Sequence, residues 1–164
     1  MMMNIQNIAI ATSFSAVLAA TIVPVMSQTS IQMDNNSNYS NVSSISIVSN
    51  NDWGQEQIQE TEISLNASDL KQPHILRITT LTSATKLTGQ IKLDGKVIKT
   101  LRNNKTQINL SPHLTKGRHK IKISGRYTPA NSSVKVEFTG PSTQVNQQTS
   151  GSGDMGQTLI IDVL

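Results

Sequence analysis

Arg118, Lys120 and Lys122 stand at alternate positions in LTKGRHKIKISGRY, residues 114–127, a stretch with five bases and no acid. In an extended strand, alternate side chains share one face at a spacing of about 6.6 Å. Three cations in that pattern suit an anion that repeats along a chain. Upstream, Asp94-Gly95 is a two-residue hairpin signal. A turn there sets Lys92 against Val97 and Gln90 against Lys99, which adds Lys92 and Lys99 to the same outer face. Arg118, Lys120, Lys122, Lys92 and Lys99 are therefore the candidate anion-binding set. Like charges side by side on a sheet repel, so such a stripe is better tolerated beside an anion or an acidic neighbour. Lysine dominates it, and a mobile point charge favours loose recognition of charge over bidentate recognition of one group.

The charge distribution gives this stripe two readings. All fourteen bases lie between residues 71 and 140, where only Asp94 and Glu137 oppose them. Residues 28–70 hold six acids and no base. In the first reading, acidic N-terminal strands pack beside basic ones and neutralise them. In the second, a basic face persists and attracts an anionic partner.

Signals for catalysis are absent. The chain has no nucleophile elbow, phosphate loop, zincin motif or calcium loop. It has no cysteine, which excludes disulfides and thiolate sites. His119 alternates with Ile121 and reads as a half-buried sheet residue, while His113 follows Pro112 and reads as exposed. The two are six positions apart with no carboxylate close in sequence, so no metal site is expected. Glu60 and Glu62 share a strand face, and such a pair can hydrolyse glycosides, but two glutamates on an exposed strand read as solvated. Trp53, in the polar stretch NNDWGQ, is either a stacking platform for a sugar ring or an apolar lid over a sheet edge. Phe138 reads as core. No cofactor is expected.

Positioning such a stripe requires a sheet, and short period-two runs recur from Ile45 onward. Ile45 and Ile47 alternate with serines. Thr61, Ile63 and Leu65 alternate with Glu60, Glu62 and Ser64. Similar runs centre on Ile78, Ile91, Ile98, Ile108, Ile121, Val136 and Ile161. No stretch after residue 30 keeps a helical period. These patterns predict an all-β fold, an antiparallel β-sandwich of jelly-roll type with about eight or nine short strands, most with one wet face.

Residues 89–125 carry one resemblance. LDGKVIKTL followed by INLSPHLTKGRHKIKISG is similar to a run in galactose-binding-like jelly rolls, such as the accessory sandwich domains of glycoside hydrolases. The matching positions include Ile108, Leu110, Ser111, Pro112, Leu114 and Gly117, followed by His119, Ile121 and Ile123. The resemblance implies a sandwich and implies no ligand, because fold does not carry function.

The rest of the chain divides by composition. Residues 8–25 contain no charge and are mostly apolar, Pro24 breaks the run, and Val25 and Ser27 fit a signal-peptidase site before Gln28. Residues 1–27 thus read as a signal peptide, with a retained anchor as the alternative. Residues 28–43, rich in Asn and Ser, read as a flexible polar arm. Residues 44–164 read as the sandwich, with a flexible loop at 140–157. The expected protein is exported, bacterial, and located in the periplasm, at the cell surface or in the medium. It is a non-enzymatic module for an anionic polysaccharide or envelope component, with self-association possible. The alternative is a structural or assembly subunit, or an accessory sandwich, of a cell-surface complex.

Overall fold

The computed structural model describes residues 28–32, 42–48, 58–151 and 153–164. The expected leader over 1–27, most of the arm and Trp53 lie outside these residues. Eleven strands occur among those described. They are β1 (Gln28–Gln32), β2 (Val42–Val48), β3 (Ile58–Leu65), β4 (Ile75–Thr80), β5 (Lys86–Leu93) and β6 (Lys96–Arg102). The chain continues with β7 (Lys105–Asn109), β8 (Gly117–Thr128), β9 (Ser133–Thr139), β10 (Gln144–Ser150) and β11 (Asp154–Val163). Short 3-10 turns at Ala67–Lys71 and Ser111–His113 are the helical pieces among the described residues.

The strands form two sheets, ordered β1-β10-β9-β4-β7 and β2-β3-β11-β8-β5-β6. The expected β-sandwich is therefore what the chain forms. The period-two rule explains the core. Leu76 and Ile78 on β4, Ile121 and Ile123 on β8, and Val134, Val136 and Phe138 on β9 all face inward and are buried. Full burial of each such aliphatic side chain contributes roughly 1.5–3 kcal/mol. Phe138, expected in the core, is 1% exposed.

Three features depart from the sequence reading. First, residues 140–157 were expected as a flexible loop, but they contain all of β10 and the start of β11. The inward positions of β10 are Val145, Gln147 and Thr149, all buried. Only one of the three is apolar, so no hydrophobic alternation marks the strand. Its polar side chains bond across to the other sheet instead. Gln147 donates to Thr61 and Gln157 donates to Thr149. Second, the arm is partly strand, because Gln28–Gln32 pairs antiparallel with β10. Third, β11 runs parallel to β3 while pairing antiparallel with β8. It thereby inserts between the two. Its end is held in place, with the Leu164 amide donating to the Leu65 carbonyl at 2.9 Å.

Asp94-Gly95 forms the tight turn expected of it. Both residues have positive φ, 48° and 84°, as a type I′ hairpin turn requires. The Asp94 amide donates to the Lys120 carbonyl, and the Lys120 amide donates to Asp94 Oδ1 at 2.8 Å. The turn thus docks on β8 as an extra rung of the sheet.

Candidate functional site

The second sheet is electrically divided. β8, β5 and β6 are neighbours and carry nine of the fourteen bases and no acid. β3 and β11 are also neighbours and carry Glu60, Glu62, Asp154 and Asp162 with no base. The seam runs between β11 and β8. Register places Arg118 opposite Asp162, Lys120 opposite Ile160, Lys122 opposite Thr158 and Arg126 opposite Asp154.

The two arginines close the ends of this seam. Arg118 meets Glu62 at 2.6 Å and Asp162 at 2.8 Å. The Glu62 hydrogen bond raises the Arg118 pKa against desolvation, and the charges of Asp162, Glu62 and Glu60 add to the rise. Arg126 meets Asp154 at 3.0 Å. Exposed pairs like these contribute little to stability, but they neutralise the arginines. The neutralising reading of the sequence therefore holds for Arg118, and Glu62 is bound to it rather than merely solvated.

Between the arginines, Lys120 and Lys122 face Ile160 and Thr158 across the seam and not acids. Lys92 registers directly opposite Lys122 on the outer face. Directly opposed residues place their Cβ atoms about 5 Å apart, and like charges there are destabilising. Lys120 lies two positions along the same strand and is exposed. None of Lys92, Lys120 and Lys122 forms an ion pair among the described residues.

Lys99 does not join them. It registers against Ile91, a core residue, and Thr100 takes the place opposite Gln90. The cause is a β-bulge at Ile98, beside the Lys92–Val97 pair. Ile98 and Leu101 both pack toward the core. Residues three apart in a regular strand point to opposite faces, so one extra residue must lie between them. The bulge moves Lys99 off the outer face onto the open edge of β6, where an exposed lysine discourages edge-to-edge pairing. The spacing of Ile98 and Leu101 was the signal for this in the sequence.

Past the lysine pair, the same face sinks into an open depression of about 520 Å³. Thr88, Gln90, Ser124, Arg126 and Asp154 line it, over a floor formed by Gly89 and Gly125. Gln90 and Ser124 are in register, one outward rung from Lys92 and Lys122, with Thr88 and Arg126 a rung further. None of these depression residues was singled out from sequence, because isolated polar residues on a wet face carry no periodic signal.

The histidines behave differently from one another. His119 is half-buried, as expected, but it does have a carboxylate neighbour. Its Nδ1 lies 2.8 Å from Asp94 Oδ2, and its Nε2 lies 2.9 Å from the Thr115 carbonyl. Asp94 was missed because it is 25 positions away and reaches His119 only through the docked turn. Burial pushes the His119 pKa down, but the Asp94 hydrogen bond, the Thr115 carbonyl and the Asp94 charge together raise it. Burial pushes Asp94 up, yet the bonds from the Lys120 amide and His119 leave it lowered. Asp94→Asn should keep the turn, since Asn tolerates positive φ, and should lower the His119 pKa. NMR titration of the His119 ring checks this; an unchanged midpoint would mean that Asp94 does not set it. His113 is exposed. No group of three or more His, Asp or Glu residues among those described is placed to hold a metal ion.

No family model, curated protein or solved structure matches this chain.

Proposed function

We propose that the protein is an exported, non-catalytic β-sandwich module that binds an anionic polymer through the basic half of its second sheet. Lys92, Lys120 and Lys122 carry the contact. The observation behind this reading is the in-register Lys92–Lys122 pair, in which neither lysine has an ion-pair partner among the described residues. A cross-strand cation pair weakens the sheet in the free protein, and an anion laid across it relieves the repulsion. Arg118 plays a lesser part because Glu62 and Asp162 already hold it. Lys99 belongs to the edge. The uncharged apolar run at residues 8–25 supports export, to the periplasm, surface or medium of a bacterial cell. The assembly reading, in which the acidic N-terminal segment would pair with the basic segment of another molecule, has less support, since Glu62 is engaged by Arg118 within the same chain.

Lys92→Glu separates function from stability. It replaces a like-charge pair with an opposite-charge pair, so the protein should gain up to about 1 kcal/mol. Its elution salt on a heparin column should nevertheless fall, and a Lys120→Glu, Lys122→Glu variant should elute earlier still. Lys99→Glu should shift elution less than Lys92→Glu. If the Lys92→Glu and Lys120→Glu, Lys122→Glu variants elute with the wild type while remaining folded, the lysines are only a solvated face.

A further inference from the structure

We infer that the depression beside the lysine pair is a subsite for one hydroxylated ring of a carboxylated polysaccharide, with the ring carboxylate on Lys92 and Lys122. This rests on the reading that the lysines hold an anion, and it selects among anions. Lys92 and Lys122 form one rung of the outer face, Gln90 and Ser124 the next, and Thr88 and Arg126 the one after. Successive outward rungs lie about 6.6 Å apart. A ligand lying along β5 and β8 therefore meets two cations first, then an amide and a hydroxyl, then the Arg126–Asp154 pair.

The lining decides the ligand class. Asp154 borders the depression with its side chain 52% exposed. A carboxylate there disfavours an anionic group placed over the depression itself, of whichever polymer, but it accepts hydrogen bonds from ring hydroxyls. Gln90 offers both an acceptor and donors, and Ser124 and Thr88 offer hydroxyls that do either. Arg126 is held by Asp154 at 3.0 Å and presents the rest of its guanidinium as donors. Such mixed donors and acceptors match neutral hydroxyls better than a run of phosphates. Among the described residues no aromatic side chain lines the depression, so none of them supplies the stacking surface on which single-stranded nucleic acid binding relies. The floor is the strand backbone at Gly89 and Gly125, which lie in register between the outward rungs Thr88–Arg126 and Gln90–Ser124. A ring can therefore rest there without a side chain beneath it. One carboxylate per ring, flanked by hydroxyls, is the pattern of a polyuronate.

The test uses oligogalacturonate, its methyl ester and a single-stranded DNA oligonucleotide, each titrated calorimetrically. Gln90→Ala, Ser124→Ala removes two uncharged outer side chains and leaves every lysine in place. Wild type should prefer oligogalacturonate to the ester and to DNA. The double variant should lose about tenfold in affinity for oligogalacturonate and keep its DNA affinity. Equal oligogalacturonate affinity for wild type and double variant would overturn the subsite, as would a wild-type preference for DNA or equal binding of the ester. If Lys92→Glu still lowers heparin retention after such a result, the anion-binding reading stands and only the subsite fails. If Lys92→Glu also changes nothing, both fall.

Discussion

Gly89→Ala should destabilise the protein by about 3 kcal/mol or more, near or beyond the upper end of ordinary overpacking. A Cβ at Gly89 would sit 2.2 Å from the Ser124 carbonyl oxygen and 2.6 Å from the Gly125 Cα. Both are backbone atoms, so no side-chain rotation removes the clash. Gly125 is held the same way, since a Cβ there would meet the Thr88 carbonyl at 2.7 Å. The two glycines are in register at the crossing of β5 and β8. They occupy inward positions, and the space beside Gly125 is taken by Leu87 and Leu101, whose Cδ1 atoms lie 3.5 and 3.4 Å from its added Cβ. A methyl group therefore forces the strands apart or the leucines out. Urea denaturation gives the comparison, with Gly95→Asn as control. Gly95 has positive φ but nothing within 4 Å of its added Cβ, and Asn tolerates that conformation, so its loss should be small. A Gly89→Ala midpoint close to wild type would show that β5 and β8 have room at this crossing.

That crossing also shows what a period-two reading reaches. Alternation locates a strand wherever its inward positions are apolar, and it found β2 through β9 and β11 on residues such as Ile63, Ile78, Ile91 and Val136. It missed β10 because two of its three buried inward side chains are Gln147 and Thr149. They are tolerated there because Thr61 and Gln157 meet them from the facing sheet, and that pairing is invisible before the sheets are stacked. Alternation also carries no strand direction, so the parallel β3–β11 ladder has no sequence signal.

The site was legible to the same extent. Lys120 and Lys122 had to share a face with Arg118 because they sit on one strand. Lys92 was placed on the outer face through the Asp94-Gly95 turn, but that Lys122 is its neighbour depends on β5 pairing with β8. The neutralisation of Arg118 depends on β11 being inserted beside β8, which brings Asp162 from 44 positions away. Local pattern fixes the face that a charge occupies. Long-range topology decides whether an acid reaches it, and with that whether the charge is available to a ligand.

Two histidines should give the protein opposing pH dependences, separable by substitution. His74 is fully buried, stacked on Phe138 with ring centroids 5.9 Å apart. Its Nδ1 lies 3.1 Å from the Gln72 carbonyl and 3.0 Å from Ser111 Oγ. A carbonyl only accepts, and Ser111 gives its own hydroxyl proton to that same carbonyl at 2.7 Å. Nδ1 therefore carries the proton in the neutral ring, and Nε2 is a buried acceptor with no partner among the described residues. Protonating Nε2 would place a charge and an unbonded N–H in the core. Burial accordingly lowers the His74 pKa, outweighing the Gln72 carbonyl and Asp69, which act to raise it. A lowered folded pKa means that the stability tied to neutral His74 is complete above the unfolded value of about 6.5 and is lost as pH falls from there toward the folded value. His119 has a raised pKa, so its contribution is complete below about 6.5 and is lost as pH rises through its folded value. In urea denaturation from about pH 5 to about pH 8, the advantage of wild type over His74→Asn should shrink toward acid. Its slope cannot exceed about 1.4 kcal/mol per pH unit, the limit for one proton. The advantage over His119→Asn should instead shrink toward alkali. Parallel profiles for wild type and His74→Asn would mean that His74 does not remain neutral in the folded core.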